Sequence, residues 1–159
     1  MIRSGRNTEI VDLLVTAYNM ELETVINYVT NSIWLDGLRA EHVKDALAKD
    51  VQEELGHAQR LARRIKILDG RIPGSQSLRM TQTFLQPGET SIDLLRVIRG
   101  VIEAENQAIE HYQKIIEATD DVDLVTQDLA ISLKADEEEH RRTFVGFLAE
   151  AEAMAAAER

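Results

Sequence analysis

The chain contains no cysteine, which excludes disulfide bonds, iron–sulfur ligation and zinc sites built from thiolates. It has only two prolines and eight glycines in 159 residues, so few positions interrupt regular structure and helix is favoured over strand. No stretch is apolar for the roughly 18 residues that a membrane span requires. Charged residues also interrupt positions 1–23, where a signal peptide would have an apolar core. We therefore expect a cytoplasmic protein.

Positive charge is also scarce, since 18 lysines and arginines face 28 acidic residues and the net charge is −10. An acidic chain repels phosphate backbones, so nucleic acid is not an expected partner. A membrane is not expected either, because no long apolar stretch is present. The same charge is compatible with attracting cations. The length predicts a single domain over residues 1–159.

Apolar residues recur at helical spacing in four segments, roughly 8–35, 40–68, 91–118 and 122–156. Residues 70–90 hold both prolines and form a long connection between the second and third helices. We expect this connection to cross from one end of a bundle to the other and to return the third helix to the place where the first begins. The predicted fold is an all-α antiparallel four-helix bundle with one long crossover. No break in the last segment predicts a fifth helix.

Ionisable residues interrupt the apolar faces of all four predicted helices. The second and fourth each carry a Glu-x-x-His pair, whose two members share one helix face, and the first and third each carry one inward glutamate. The second-helix glutamate follows that of the first by 33 residues, and the fourth-helix glutamate follows that of the third by 32. Packing these two similar halves face to face would bring six side chains to one level: Glu21, Glu54, His57, Glu105, Glu137 and His140.

These six side chains predict a dinuclear metal site. The same six residues are also the predicted catalytic residues. Four buried carboxylates require compensating positive charge, and two divalent cations balance them. Glu21 and Glu105 are the predicted terminal ligands, while Glu54 and Glu137 are better placed to bridge. Such oxygen-rich sites with one imidazole per metal suit two Fe ions, with Mn or Zn possible. We predict oxidation of Fe(II) to Fe(III) by O₂ or H₂O₂ at open coordination positions.

Residues beside the six ligands are predicted to hold them in place. Asp136 is expected to accept a hydrogen bond from His57, and Glu53 from His140. Tyr28 and Tyr112 are placed to bond ligand carboxylates, although core packing alone also explains them. Burial of the glutamates as ordinary salt-bridge partners is disfavoured, because no lysine or arginine interrupts these faces at the same level.

The segments MELETVINY, EELGHAQRLARRI, EAENQAIEHY and ADEEEHRRTF resemble the ferritin-like superfamily. The resemblance is strongest to bacterioferritins and to bacterioferritin-like mini-ferritins, which are Dps-like proteins with the metal site inside each bundle. It implies ferroxidase ligands at the same six positions. It also implies that Fe(II) is oxidised and ferric mineral is stored inside a hollow homo-oligomeric shell.

Three departures from the family pattern refine these expectations. Leu55 stands where bacterioferritins have a haem-binding methionine, so the resemblance does not extend to haem. The cysteine pair of some mini-ferritins is absent. The lack of a predicted fifth helix favours a 12-subunit shell over one of 24 subunits. DNA-binding Dps proteins use other ligands between subunits, and this chain does not resemble them.

Two other functions fit the same pattern. One is a rubrerythrin- or catalase-like dinuclear-metal peroxidase that consumes peroxide without storing iron. The absence of a cysteine-rich rubredoxin segment argues against a full rubrerythrin. The other is a structural bundle whose site holds zinc.

Overall fold

The computed structural model describes residues 5–158, which form four long helices joined by short turns and one long crossover. No strand occurs within these residues, so the predicted all-α bundle is confirmed. At every end the observed helices lie within three residues of the predicted segments. Their bounds are α1 (Gly5–Trp34), α2 (Glu41–Ile67), α3 (Leu94–Thr119) and α4 (Leu124–Ala157). Residues 1–4, which begin the segment assessed for a signal peptide, lie outside the described residues.

Side-chain contacts show that neighbouring helices run antiparallel. On α1 and α3, Tyr28 bonds Glu105 while Tyr112 bonds Glu21, so the two sequences run in opposite directions. The same reversal relates α2 and α4, where early residues of one helix meet late residues of the other. The α1–α2 and α3–α4 hairpins therefore pack face to face, as the duplicated sequence pattern predicted.

The crossover runs along α1 and joins α3 beside the end of α1. The backbone N–H of Asp36 donates to the Ser91 carbonyl at 2.8 Å, and the Trp34 indole donates to the Gly88 carbonyl at 3.1 Å. The expectation that α3 begins where α1 begins was therefore wrong. Because α2 returns the chain to the start of α1, a crossover of the bundle's full length must deliver α3 to the opposite end.

A buried glutamate on α1 anchors this crossover. Glu23 accepts hydrogen bonds from the backbone N–H groups of Thr81 and Gln82, at 2.5 and 2.6 Å. Near the end of the crossover, a side chain on Gly100 would place its Cβ 2.5 Å from the carbonyl oxygen of Phe84. Glycine at position 100 therefore lets the crossover lie against α3.

The buried apolar residues form two clusters, one toward each end of the bundle. Leu47 and Phe144 belong to the first cluster, and Leu61 and Leu133 to the second. Burial of each such side chain contributes roughly 1.5–3 kcal/mol. In every helix, the residues between these clusters include the ionisable positions singled out by the sequence. The core thus supports a polar layer from both sides.

Asp93 and Asp123 begin the last two helices. Each side chain accepts the backbone N–H three residues on, which satisfies a donor that the helix itself cannot pair. Asp123 also pairs with Arg64 of α2 at 2.8 Å. From there α4 continues unbroken to Ala157. None of the helices in residues 5–158 is both long enough and apolar enough to cross a membrane.

Candidate dinuclear metal site

The structure brings all six predicted ligand side chains together in the polar layer. They form two overlapping groups, and in each group the potential ligand atoms lie within 4.8 Å of one another. Glu54 and Glu137 belong to both groups. The first group is completed by Glu21 and His57, and the second by Glu105 and His140. This arrangement is the one expected if two shared carboxylates bridge two metal ions and the remaining carboxylates are terminal.

All six side chains are buried, and none of the residues is more than 5% exposed. Each comes from the middle of a long helix, where packing on both sides restricts its rotamers. Glu54 and Glu137 are 1% and 0% exposed. Bulk water is therefore excluded from the space between the carboxylates, and charge–charge interactions there are stronger than at the surface.

The two histidines are related by an approximate two-fold arrangement. His57 Nδ1 lies 3.1 Å from an oxygen of Glu54 and 3.1 Å from an oxygen of Glu137. His140 Nδ1 lies 3.1 and 3.2 Å from the other oxygens of the same two residues. The rings are stacked with centroids 6.1 Å apart. Both Nδ1 atoms therefore face the shared carboxylates and are the candidate metal-binding nitrogens.

The opposite ring nitrogens bond carboxylates that lie partly in solvent. His57 Nε2 lies 3.1 Å from Asp136, and His140 Nε2 lies 2.6 Å from Glu53. The two contacts predicted from the sequence are thus present. An Nε2–H donor held in this way fixes the ring orientation and leaves Nδ1 free to bind a metal.

Two buried tyrosines form hydrogen bonds with Glu21 and Glu105, the two glutamates that belong to only one ligand group each. Tyr28 donates its hydroxyl to Glu105 at 2.5 Å, and Tyr112 donates to Glu21. Burial raises the pKa of both phenols well above the usual value, and the negative charges of the nearby glutamates raise it further. Both hydroxyls therefore stay protonated and can donate. Each tyrosine therefore orients a carboxylate across the α1–α3 interface.

The layer carries more negative charge than a dry environment tolerates. Burial raises the pKa of Glu21 and of Glu105 well above the usual value, and the charges of Glu137 and Glu54 raise both further. Within residues 5–158, no lysine or arginine pairs with any of these four carboxylates. The salt-bridge alternative raised by the sequence is therefore excluded for the described part of the chain.

In the metal-free layer, protons on the histidines supply the compensating charge. Burial alone would lower the pKa of His57, but hydrogen bonds with Glu137 and Glu54 outweigh it and raise this pKa to about 10. Burial would raise the pKa of Glu54, yet hydrogen bonds with His140 and His57 hold it below the usual value. Divalent cations would replace these protons. The donor set of four carboxylates and two imidazoles fits two such cations.

One buried acid near the site was missed by the sequence reasoning. Asp50 is only 5% exposed, and its carboxylate lies 3.7 Å from His140 Nε2. Its position four residues before Glu54, between the apolar Leu47 and Val51, was a signal of burial that the search for Glu-x-x-His pairs overlooked.

Comparison with known proteins shows which family this four-helix chain matches. Residues 11–154 match the ferritin family, described as a ferritin-like domain. The chain belongs to the ferritin-like domain family. The DNA protection during starvation protein of Pyrococcus furiosus is a relative that is 28% identical over 147 residues, which cover 89% of this chain and 78% of the relative. The predicted resemblance to ferritin-like and Dps-like proteins is thus confirmed.

Solved structures that are similar to this chain share its fold. The bacterioferritin-related dodecameric thioferritin of Bacteroides fragilis has a TM-score of 0.82 and 26% identity, covering 95% of this chain and 90% of its own. A ferritin-like diiron-carboxylate protein of Bacillus anthracis has a TM-score of 0.78 at 22% identity, covering 92% and 99%. The bacterioferritin of Desulfovibrio desulfuricans has a TM-score of 0.79 at 19% identity, covering 93% and 82%. The last two likenesses show the fold.

Proposed function

We propose that this protein oxidises Fe(II) to Fe(III) with O₂ or H₂O₂ at the buried dinuclear site and stores the product. The observation that carries the proposal is the pair of overlapping ligand groups that share Glu54 and Glu137. Membership of the ferritin-like domain family supports it. So do the diiron-carboxylate neighbour and the starvation-protection relative.

In this proposal each residue of the layer has a defined task. Glu54 and Glu137 would be shared by the two metal positions, and one imidazole Nδ1 would complete each position. Glu21 and Glu105 are terminal ligands, oriented by the two tyrosines. Two Fe(II) ions held there would supply two electrons, which together with two protons would reduce O₂ to H₂O₂, or H₂O₂ to two molecules of water. Mn or Zn could occupy the same donors.

We further propose that copies of the chain assemble into a hollow shell, with 12 subunits favoured and 24 possible. The dodecameric neighbour at 26% identity supports the smaller shell. Exposed apolar side chains such as Ile33 and Leu38, 76% and 94% exposed, offer surface for contacts between copies. The expected location is the cytoplasm, with no nucleic-acid partner, and Leu55 in place of a haem-binding methionine argues against haem.

The test is anaerobic loading with Fe(II), followed by O₂ or H₂O₂, with Fe(III) formation read by absorbance. Size-exclusion chromatography with light scattering then measures the shell mass and the iron that travels with it. We expect rapid oxidation and retained iron in the native protein. Glu54→Ala should lose rapid oxidation because both metal positions lose a ligand. Glu110→Ala on the exposed face of α3 is the control and should behave as native.

Three results would contradict this proposal in different ways. Normal oxidation by Glu54→Ala would remove the site assignment. Peroxide consumption by a small oligomer that keeps only about two metals per chain would favour the peroxidase function over storage. Tight zinc binding without any iron oxidation would favour the structural alternative.

A further inference from the structure

The sequence contains two Asp-Gly pairs, and each of them follows a leucine. Asp36-Gly37 lies between α1 and α2, and Asp69-Gly70 lies just after α2. Such pairs are among the sequences at which a chain most readily modifies itself, because glycine has no Cβ to hinder its backbone nitrogen. That nitrogen can attack the side-chain carboxyl carbon of the aspartate before it. The two pairs are chemically alike, so the folded structure decides which of them reacts.

Gly70 is held in a tight turn. Its backbone N–H donates to the Ile65 carbonyl at 2.7 Å. A Cβ at this position would lie 2.6 Å from a side-chain carbon of Ile65 and 2.9 Å from one of Val11, so neighbouring atoms leave it no room. Asp69 adopts a left-handed backbone conformation, with φ of 57°, to make the same turn. The Gly70 nitrogen must therefore break a hydrogen bond and open the turn before it can reach the Asp69 carboxyl.

Gly37 lacks each of these restraints. Within residues 5–158 its backbone N–H donates no hydrogen bond. Apart from its chain neighbours, no atom lies within 4 Å of the place where a Cβ would stand. Its φ of 101° lies in a region that glycine adopts readily and other residues rarely do. Asp36 and Gly37 are both exposed, and in the same part of the chain the Asp36 carboxylate forms neither a hydrogen bond nor an ion pair.

We propose that Asp36 is a site of spontaneous isoaspartate formation in the folded protein, whereas Asp69 is protected. The Gly37 nitrogen bonds to the carboxyl carbon of protonated Asp36, the bond from that carbon to its hydroxyl oxygen breaks, and the hydroxyl leaves as water with the proton of the nitrogen. The product is a five-membered succinimide. Water then opens this ring at either carbonyl, which restores aspartate or leaves the main chain running through the side-chain carbon. Water is the only other reactant.

Isoaspartate would add one carbon to a short segment whose two ends are fixed. The Asp36 N–H donates to the Ser91 carbonyl at 2.8 Å, and the Gly37 carbonyl accepts from the Ala40 N–H at 3.0 Å. Leu35 and Ala40, on either side of the segment, are each 1% exposed. The modification would therefore strain the bond to Ser91, which docks the end of the crossover against the end of α1.

The experiment ages the full-length assembled protein in warm, slightly acidic buffer and maps its tryptic peptides. Electron-transfer fragmentation distinguishes isoaspartate from aspartate, and an isoaspartate methyltransferase with labelled S-adenosylmethionine counts the new carboxylates. We expect conversion at Asp36 and about fivefold to tenfold less at Asp69, because a hydrogen bond of ordinary strength must first open at Gly70. Ageing in urea should remove the difference, because the turn is then lost and both pairs follow a leucine.

Three variants test the assignment. Asp36→Glu keeps the charge but requires a less favourable six-membered ring, so the methyl-acceptor signal should fall to the low level of Asp69. Asp69→Glu is the matched control and should keep most of the signal. Asp36→Asn is the positive control, because its amide closes the ring faster with loss of ammonia, and the signal at position 36 should rise.

The outcomes are independent of the proposed iron oxidation, since none of them involves the six metal ligands. Equal conversion at Asp36 and Asp69 in the folded protein would overturn the inference. Conversion at Asp69 alone would do the same. So would a folded protein that stays unmodified at Asp36 under conditions in which the urea-unfolded chain converts there.

Discussion

Metal binding should stabilise the fold strongly, and removing one shared glutamate should abolish that stabilisation. Glu137 is fully buried and belongs to both ligand groups, so Glu137→Ala damages both metal positions. A site saturated at about 100 times its Kd stabilises the native state by about 2.7 kcal/mol. Two such sites contribute about 5.4 kcal/mol. At about 2–4 °C per kcal/mol for a chain of this size, Tm should rise by about 11–22 °C.

The assay compares Tm with and without Mn(II) for each variant, which cancels the effect of the substitution on the metal-free fold. Glu137→Ala should lose most of the shift. Glu138→Ala is the matched control, because its side chain is 51% exposed and its pair with Lys134 spans 3.8 Å at the surface. An exposed pair of this kind contributes at most about 1 kcal/mol. A full shift in Glu137→Ala, or a lost shift in Glu138→Ala, would refute the assignment of Glu137 as a shared ligand.

Three further outcomes are expected. Tyr112→Phe removes the hydrogen bond to buried Glu21 and should lower the free energy of unfolding by about 1–3 kcal/mol in a urea titration. Gly100→Ala should lower it by about 1–3 kcal/mol, because the added methyl group would lie 2.5 Å from the Phe84 carbonyl oxygen. The pKa of His57 is raised from 6.5 to about 10 on folding, so its stabilisation of the metal-free protein is complete below pH 6.5 and is lost as pH rises through about 10. Urea titrations at a series of pH values check this.

The tyrosine and glycine substitutions each have a matched control variant. Tyr18→Phe removes a hydroxyl outside the metal layer and should change stability little. Gly56→Ala adds a methyl group that meets no atom within 4 Å and should stabilise α2 by about 0.5–1 kcal/mol. An equal loss of stability in Tyr112→Phe and Tyr18→Phe would contradict the contact assigned to Tyr112. An equal loss in Gly100→Ala and Gly56→Ala would contradict the close packing at Gly100. Stability of the metal-free protein that does not fall between pH 6.5 and 10 would contradict the protonation of the histidines.

The helices and the six site positions were predictable because both depend on local periodicity. A residue three or four positions away shares a helix face, so Glu54 and His57 point the same way whatever surrounds them. The apolar residues around them then show that this face is buried. The repeat of the pattern at Glu137 and His140 indicated that both faces meet. The contacts of Asp136 and Glu53 with the histidines followed from the same symmetry.

The remaining features depend on which elements meet, and no local pattern specifies that. The sequence by itself determined four helices and a buried set of six ionisable residues, because helical periodicity is a property of neighbours in the chain. Only the tertiary structure decided that α3 begins beside Asp36, that Glu23 anchors the crossover and that Asp50 lies 3.7 Å from His140. Each of these contacts joins residues more than 50 positions apart, and its energy is set by packing and burial in the assembled bundle.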